Sequence, residues 1–418
     1  MAEYKGIKYL RKKLEWKRER VKTRYLYYEM KNKVKYISRS IPPSLRRITS
    51  CLGWCAKSVD SLGDRLVFKG FEDDNFDLQE IYAQNNPDVL YDSAILSSLI
   101  SSCCFIYISP DEDGYPRLQV IDGGNATGII DPITGLLKEG YAVLERDKYG
   151  SPVTEAYFTA GKTQYTDKRN ISKTYRNVAP YPLLVPIVYR PDAVRPFGHS
   201  RISRACIQIQ QSAMSTIIRS EISAEFYSFP QKYVVGTNSD FELDKWSAAM
   251  SAMMNISKDE DGNSPSVGQF AQQSMSPYTE QLRMFAALFA GETGLTLDDL
   301  GFVSDNPSSA EAIKASHENL RLAARKAQRT FGSGFLNAGY LAACIRDEYP
   351  YERKQLYLTK PAWEPIFEPD AAMLSSIGDG AVKLNQAVPG YFNTDNLSAL
   401  TGIKPSRIKE VNALDGEI

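Results

Sequence analysis

An α+β fold is predicted by three features of this 418-residue sequence. Apolar residues recur at three-and-four spacing through most of the first hundred residues and again from Ile202 to about Arg346, the period of amphipathic helices. From about Cys103 to Tyr189 the texture changes to β-branched and aromatic runs broken by Asp-Gly, Thr-Gly and Tyr-Gly, the pattern of antiparallel hairpins. Helices and strands thus occupy separate blocks, except in a short insert at 229–275 that mixes both textures.

Residues 3–37, with Leu10, Leu14, Val21, Tyr25, Tyr28 and Tyr36 among many Lys and Arg, predict one or two basic helices. After the prolines of "SIPPSLRR", the series Leu45, Ile48, Leu52, Cys55, Val59 and Leu62 predicts a buried helix ending near Gly63, and "DLQEIYAQNNPDVLYDSAILSSLISS" predicts a second helical stretch. The hairpin block follows. It closes with "APYPLLVPIVYRPDAVRPFGHSR", whose prolines remove ladder donors and predict an irregular boundary. Apolar residues at 202, 206, 209, 213, 217, 224 and 227 form the seam of a long helix that must stop before Pro230. Within the insert, "FPQKYVVG" is a strand, Ser239 with Glu242 is a capping box for a helix to about Asn255, and "PSVGQFAQQS" is a second extended piece. Pro277 opens the next helix at its favoured first position; Tyr278, Leu282, Phe285 and Phe289 give its apolar stripe, and Gly294 ends it. The acidic loop "LTLDDLGFVSDNP" leads into a helix capped by Ser308 and Glu311, with Pro307 stiffening the entry, Ile313, Leu320, Ala324, Ala327 and Phe331 as its face, and "FGSGF" as the place for a bend. Residues 350–418 read as irregular, then two short helices. No internal repeat is present.

Composition bounds the function. With 43 % hydrophobic and 24 % charged residues the chain buries a sizeable core in two or more domains. The formal charge of zero hides 16 Lys/Arg against 4 Asp/Glu in residues 1–50, which leaves the other 368 residues net acidic by 12. Six cysteines without CxxC spacing read as reduced core residues, and neither a membrane span nor a signal peptide is evident, so a cytoplasmic origin is expected. The two histidines, His199 and His317, read as solvated or capping residues and limit zinc and Ser-His chemistry. No phosphate-binding, zinc-protease or nucleophile-elbow motif occurs. No cofactor and no metal are expected. Two alternatives stay open: a carboxylate-metal nucleic-acid enzyme using, for example, Asp122, Asp131 and Asp147, and a basic adaptor for DNA or a membrane surface using residues 1–50.

Four passages carry a resemblance: "IPPSLRR" with "VDSLGDRLVFKGF", "FGHSRIS" leading into "IIRSEISAEFYSFPQKYVVG", "FAGETGLTLDDLG", and "DNPSSAEAIKASHENL". In this order, over roughly residues 40–345, they resemble the siphophage-type portal proteins of tailed double-stranded-DNA bacteriophages. The resemblance implies a portal fold: a helix and β wing at 1–200 (helices 1–100, β-rich 101–200), a two-helix stem at 201–228 and 276–292, an α/β clip at 229–275, a channel loop at 293–309, a long wing helix at 310–348, and a short helical crown at 349–418. It also implies a homo-oligomeric ring, typically of twelve subunits, at one capsid vertex of the virion, assembled in the host cytoplasm. Double-stranded DNA would pass through it, and the terminase large subunit, a head–tail adaptor, the major capsid protein and scaffolding protein would dock on it. The short, moderately basic C-terminal region departs from larger relatives.

Carried onto this sequence, the channel-facing residues are Thr296, Leu297, Asp298, Asp299, Ser304 and Asp305; the partner-docking residues are Lys232, Tyr233, Glu242, Lys245 and Trp246; and Pro307, Ser308 and Glu311 form the cap behind the loop. DNA carries about one negative charge per 1.7 Å of axis, and neutralising it gives a salt-dependent grip. Aspartates facing a duplex would instead repel it and let it slide. The competing reading makes these same aspartates ordinary loop and capping residues.

Overall fold

A computed structural model describes residues 4–35, 41, 45–228, 232–235, 266–269, 274–302, 315–366, 371–401 and 403. In chain order its helices are α1 (Ile7–Tyr28), α2 (Trp54–Gly63), α3 (Leu78–Ala83), α4 (Pro87–Ser101), α5 (Arg204–Ser228), α6 (Ser276–Thr293), α7 (Glu318–Arg346), α8 (Ala371–Ala387) and α9 (Thr394–Thr401). Its strands are β1 (Phe68–Glu72), β2 (Cys103–Pro110), β3 (Pro116–Ile121), β4 (Ala126–Ile130), β5 (Leu137–Arg146), β6 (Pro152–Thr159), β7 (Lys162–Asp167), β8 (Ser172–Arg176), β9 (Leu184–Val188), β10 (Lys232–Val235), β11 (Ser266–Gln269) and β12 (Lys360–Trp363). The α+β class is as expected. One compact unit holds Met1–Arg18, Asp60–Ser200 and Arg321–Ile418, and a second holds Glu19–Val59 and Arg201–Leu320.

In the first unit, hairpin connections put β4 to β8 side by side in one antiparallel sheet, and a smaller sheet of order β3-β2-β9 joins the β2–β3 hairpin to a strand from beyond β8. The start of α1 lies on the larger sheet because Leu10 and Leu14 pack against Tyr141 and Val143. Glu139, 1 % exposed, meets the positive end of that helix by accepting from the amides of Lys5 and Gly6 at 2.8 and 3.0 Å. Arg11 pairs with Glu155, which also accepts from the Tyr141 hydroxyl. Lys13 donates to the Gly128 carbonyl at 2.7 Å, and burial pulls its ammonium pKa down to about 8.

An aromatic cluster closes this unit. Phe68 on β1 lies 4.6 Å from Tyr91, 5.0 Å from Phe335 and 4.8 Å from Trp363, ring centre to ring centre, and β1 pairs with β12. Helix α7 runs unbroken through Gly332 and Gly334, where a bend was expected. These glycines serve close approach instead: an added Cβ would stand 2.7 Å from the Pro361 ring and 2.7 Å from Ile187, respectively.

Three other local expectations give way. The proline-rich boundary contains a buried strand, β9, because it pairs only with β2 and an edge strand tolerates Pro186. The second helical stretch divides into α3 and α4 at Asn86, which adopts a left-handed φ of 49° before Pro87. The helix expected from Leu45 to Gly63 is a 3-10 turn at Leu45–Arg47 and then α2. Its missing middle is explained by Gln210, fully buried, which donates to the Leu52 carbonyl at 2.7 Å and accepts from the Cys55 amide at 2.8 Å. A side chain takes the backbone groups that a continuous helix would have paired.

In the second unit α5 and α6 pack as an antiparallel pair, tied by Ser203 to Glu292 at 2.9 Å and Thr216 to Gln281 at 3.0 Å. Pro277 lies in the first turn of α6 and Gly294 caps its end with φ 71°, as expected. Strands β10 and β11 pair antiparallel, Lys232 opposite Gln269 and Val235 opposite Ser266.

Replacing Gly332 by Ala is expected to lower stability by about 1–3 kcal/mol despite better helix propensity, since the Pro361 ring cannot turn aside. The same change at Gly380, with open space around it, is expected to raise stability by up to about 1 kcal/mol, and urea unfolding of both variants checks the contrast. Alkali is expected to destabilise the protein. Burial pushes the thiols of Cys104 and Cys344 up to about 12 and about 11, and those of Cys55 and Cys206 upward as well. The unfolded chain then loses these protons first, so the contribution is whole below pH 9 and falls as pH rises toward 11–12, opposed by Lys13, whose pKa is lowered. Urea midpoints compared at pH 8 and at about pH 10.5 read this out.

Candidate functional site

The site is built from the base upward. Arg201, 8 % exposed, lies just before α5, and its Nε donates to the Ser58 carbonyl of α2 at 3.1 Å. Its Nη2 donates to the carbonyl of Thr293, the last residue of α6. A cation is favoured there because the C-terminal carbonyls of a helix carry partial negative charge. Trp54 packs on Phe289 at 5.6 Å beside this junction. The end of α6 is thus held from two sides at the residue where the loop begins.

Gly294 then turns the chain, and Leu295 and Leu300 are buried as the two feet of the loop. Between them Asp299 Oδ2 accepts from the Thr296 amide at 2.9 Å and from its hydroxyl at 3.0 Å, while Thr296 Oγ1 accepts from the Asp299 amide at 3.2 Å. This reciprocal box closes the 3-10 turn Asp298–Leu300. His317 Nδ1 lies 3.8 Å from the same carboxylate. Asp298 is exposed, and Leu297 and Thr296 are half-covered.

The structure therefore brings Thr296, Leu297, Asp298 and Asp299 together in one folded turn and separates the two aspartates in role: Asp299 holds the turn and Asp298 stands out from it. Lys232 and Tyr233 lie on β10, opposite Gln269 and Gly268. Ser304, Asp305, Pro307, Ser308, Glu311, Glu242, Lys245 and Trp246 lie outside the described residues. Thr296 was not paired with Asp299 from the sequence, although their three-residue spacing is that of an N-terminal cap and could have found the box. Nothing in the sequence marked Arg201 as buried.

The aspartates of the metal-enzyme alternative are turn residues. Asp122 accepts from the Gly124 amide at 2.6 Å, Asp147 from those of Tyr149 and Ser151 at 2.9 Å each, and Asp131 from that of Ile133 at 3.3 Å. Among the described residues no group of three or more His, Cys, Asp or Glu could hold a metal ion, and no helix is long and apolar enough to cross a membrane.

The profile of the family described as "Phage portal protein, SPP1 Gp6-like" matches residues 7–355. The chain belongs to the phage portal protein family. Portal proteins of Mycobacterium phages L5 and D29 are each 23 % identical to it, over 348 and 341 residues, covering 76 % of this chain and 69 % of each relative. Among solved structures, a chain from the virion of a native gene transfer agent particle covers 92 % of this chain and 100 % of its own length at 14 % identity and a TM-score of 0.48. A chain from the neck of the native particle, computed with C12 symmetry, covers 84 % and 90 % at 14 % identity and a TM-score of 0.45. As a portal protein the chain is a structural virion component of the head–tail connector.

Two substitutions separate base from loop. Arg201→Met leaves the helix-end carbonyl of Thr293 without this donor, at about 1–3 kcal/mol for an unsatisfied buried group, and a loss in that range is expected in chemical unfolding. Asp299→Ala removes only the turn's cap and is expected to cost about 1 kcal/mol, with Asp298→Ala near neutral in the same assay.

Proposed function

We propose that copies of this portal-family chain close into a ring, with twelve as the typical number among the proteins it resembles, and that the ring conducts double-stranded DNA into and out of the capsid. The observation that carries this reading is a second apolar stripe on α6. Phe289, Ala286 and Ala290 are buried, yet Met284, Ala287, Leu288 and Gly291 form an exposed stripe at three-and-four spacing, with Met284 and Leu288 each about half exposed. Such a helix needs a further apolar neighbour, and a second copy supplies one.

In this reading α5 and α6 are the stem, 229–275 the clip, 293–309 the channel loop, 310–348 the long wing helix, 1–200 the wing, and 349–418 a short crown. The β10–β11 ribbon supports the clip assignment, since a two-stranded ribbon is marginal alone and its edges invite strands from a neighbour. The terminase large subunit and later the head–tail adaptor dock on the clip, through the region of Lys232, Tyr233, Glu242, Lys245 and Trp246, and capsid and scaffolding proteins meet the wing. Assembly takes place in the host cytoplasm. The protein works by conduction and docking, with no catalytic step.

Native mass measurement at micromolar concentration and physiological salt is expected to find a closed ring; monomer or dimer alone would count against the reading. Asp298→Lys is the substitution for the channel, because it changes ring charge by two units per subunit without touching the Asp299 cap. Packaging is expected to slow, most at low ionic strength, while assembly is kept. A normal packaging rate at every salt concentration would remove Asp298 from the channel lining.

A further inference from the structure

The outward face of α1 is left without a role by the stem, clip and loop. Its inward residues Leu10 and Leu14 are buried, whereas Tyr9, Lys12 and Trp16, spaced three and four apart, form one exposed stripe with Lys8 beside it. Trp16 is 74 % exposed, and the Lys5 ammonium lies 4.9 Å from the centre of the Tyr9 ring. This exposed indole, with Lys8 and Lys12 N-terminal to it and Glu15 and Glu19 also exposed beside them, is a docking surface with two requirements, an apolar contact and anionic groups that pair with the lysines. Duplex DNA meets only the second, because its bases are stacked inside and its outside is phosphate.

The chain itself carries a surface that meets both. At the end of β1 and into α3, Glu72, Asp77 and Glu80 are exposed, and the exposed Asp73 among them is paired with Lys360 at 3.6 Å. Thr359 donates to the Asp73 carbonyl at 3.2 Å, which brings Tyr357, 76 % exposed, and Leu358 next to this acidic edge. The charge division has the same sense, 16 Lys/Arg against 4 Asp/Glu in residues 1–50 and a net acidic remainder. The stripe rides on the β4–β8 sheet and the patch on β1, α3 and the segment before β12, so one copy presents them from different elements. A contact between unlike patches is heterologous, the kind that propagates around a ring.

We propose that the Tyr9–Lys12–Trp16 stripe of α1 docks on the Glu72–Glu80 and Tyr357–Leu358 patch of the next copy in the ring. This rests on the ring reading and adds a second contact to the one made by α6. Lys8 and Lys12 face the carboxylates, and Trp16 covers Tyr357 and Leu358.

The test uses the full chain with p-benzoyl-phenylalanine at position 16, assembled and irradiated. Cross-linked peptides are expected to join position 16 of one subunit to the 72–80 or 353–360 region of another. Lys8→Glu with Lys12→Glu is expected to raise the concentration needed for ring formation about tenfold at low salt, Glu72→Lys with Glu80→Lys likewise, and the two sets together to recover it. All four side chains are exposed, so unchanged melting of the monomeric variants confirms that folding is intact. Rings that form at the parental concentration with either charge reversal and give no such cross-link overturn the inference and leave the ring reading standing. Cross-links to added duplex DNA in place of a neighbouring subunit also overturn it. Failure of the parental chain to form rings at all overturns both.

Discussion

One buried guanidinium determines where the loop after α6 begins. Arg201 has 8 % of its surface exposed and spends its donors on main-chain carbonyls of α2 and α6. A charge so placed is costly unless its hydrogen bonds are made, and the cost falls wherever the geometry loosens. The end of α6 is therefore held by an interaction that tolerates little drift, and the turn that starts one residue later inherits that position. Lysine could not replace it, having no planar fork to reach both carbonyls. The Trp54–Phe289 contact and the Gln210 bonds to Leu52 and Cys55 belong to the same arrangement, each fixing a segment of 50–59 against the α5–α6 pair.

This explains why a loop with adjacent aspartates does not behave as a simple acidic loop. Asp299 is committed to Thr296 and lies near His317, so its charge is partly answered inside the turn. Asp298 is exposed, and its charge acts outward over about a Debye length, roughly 8–10 Å in physiological salt. One uncommitted carboxylate per subunit is modest, but in a closed ring it recurs around the circumference. The capping reading holds for Asp299, and in the proposed ring Asp298 is the carboxylate left for the channel.

What was legible in the sequence follows the range of the interactions. Pro277 and Gly294 mark the ends of α6 because a missing amide and a left-handed φ are properties of single residues. The hairpin block was legible because neighbouring strands pair through short turns held by Asp111, Asp131, Asp147 and Asp167. The β1–β12 pairing joins residues nearly three hundred apart, and no local pattern announces it. Strand β9 was missed because proline counts against a strand only where its amide is needed. The glycines of α7 read as a bend when the deciding fact was the Pro361 ring and the Ile187 side chain beside them. At the candidate site the Thr296–Asp299 spacing is local and was passed over, whereas the burial of Arg201 depends on three segments meeting and no spacing shows it.

Several elements satisfy one face within the chain and leave another uncovered. Helix α6 buries Phe289 and exposes Met284 and Leu288; α1 buries Leu10 and Leu14 and exposes Tyr9 and Trp16; the β10–β11 ribbon has only two strands among the described residues. Each inner face is packed within the chain, and in the proposed ring each outer face is left for another copy. If those outer faces are covered by copies of the same chain, stability measured on the dilute monomer understates that of the assembly, and the difference grows with protein concentration by mass action. The insert would feel this most, since a two-stranded ribbon has the least internal support.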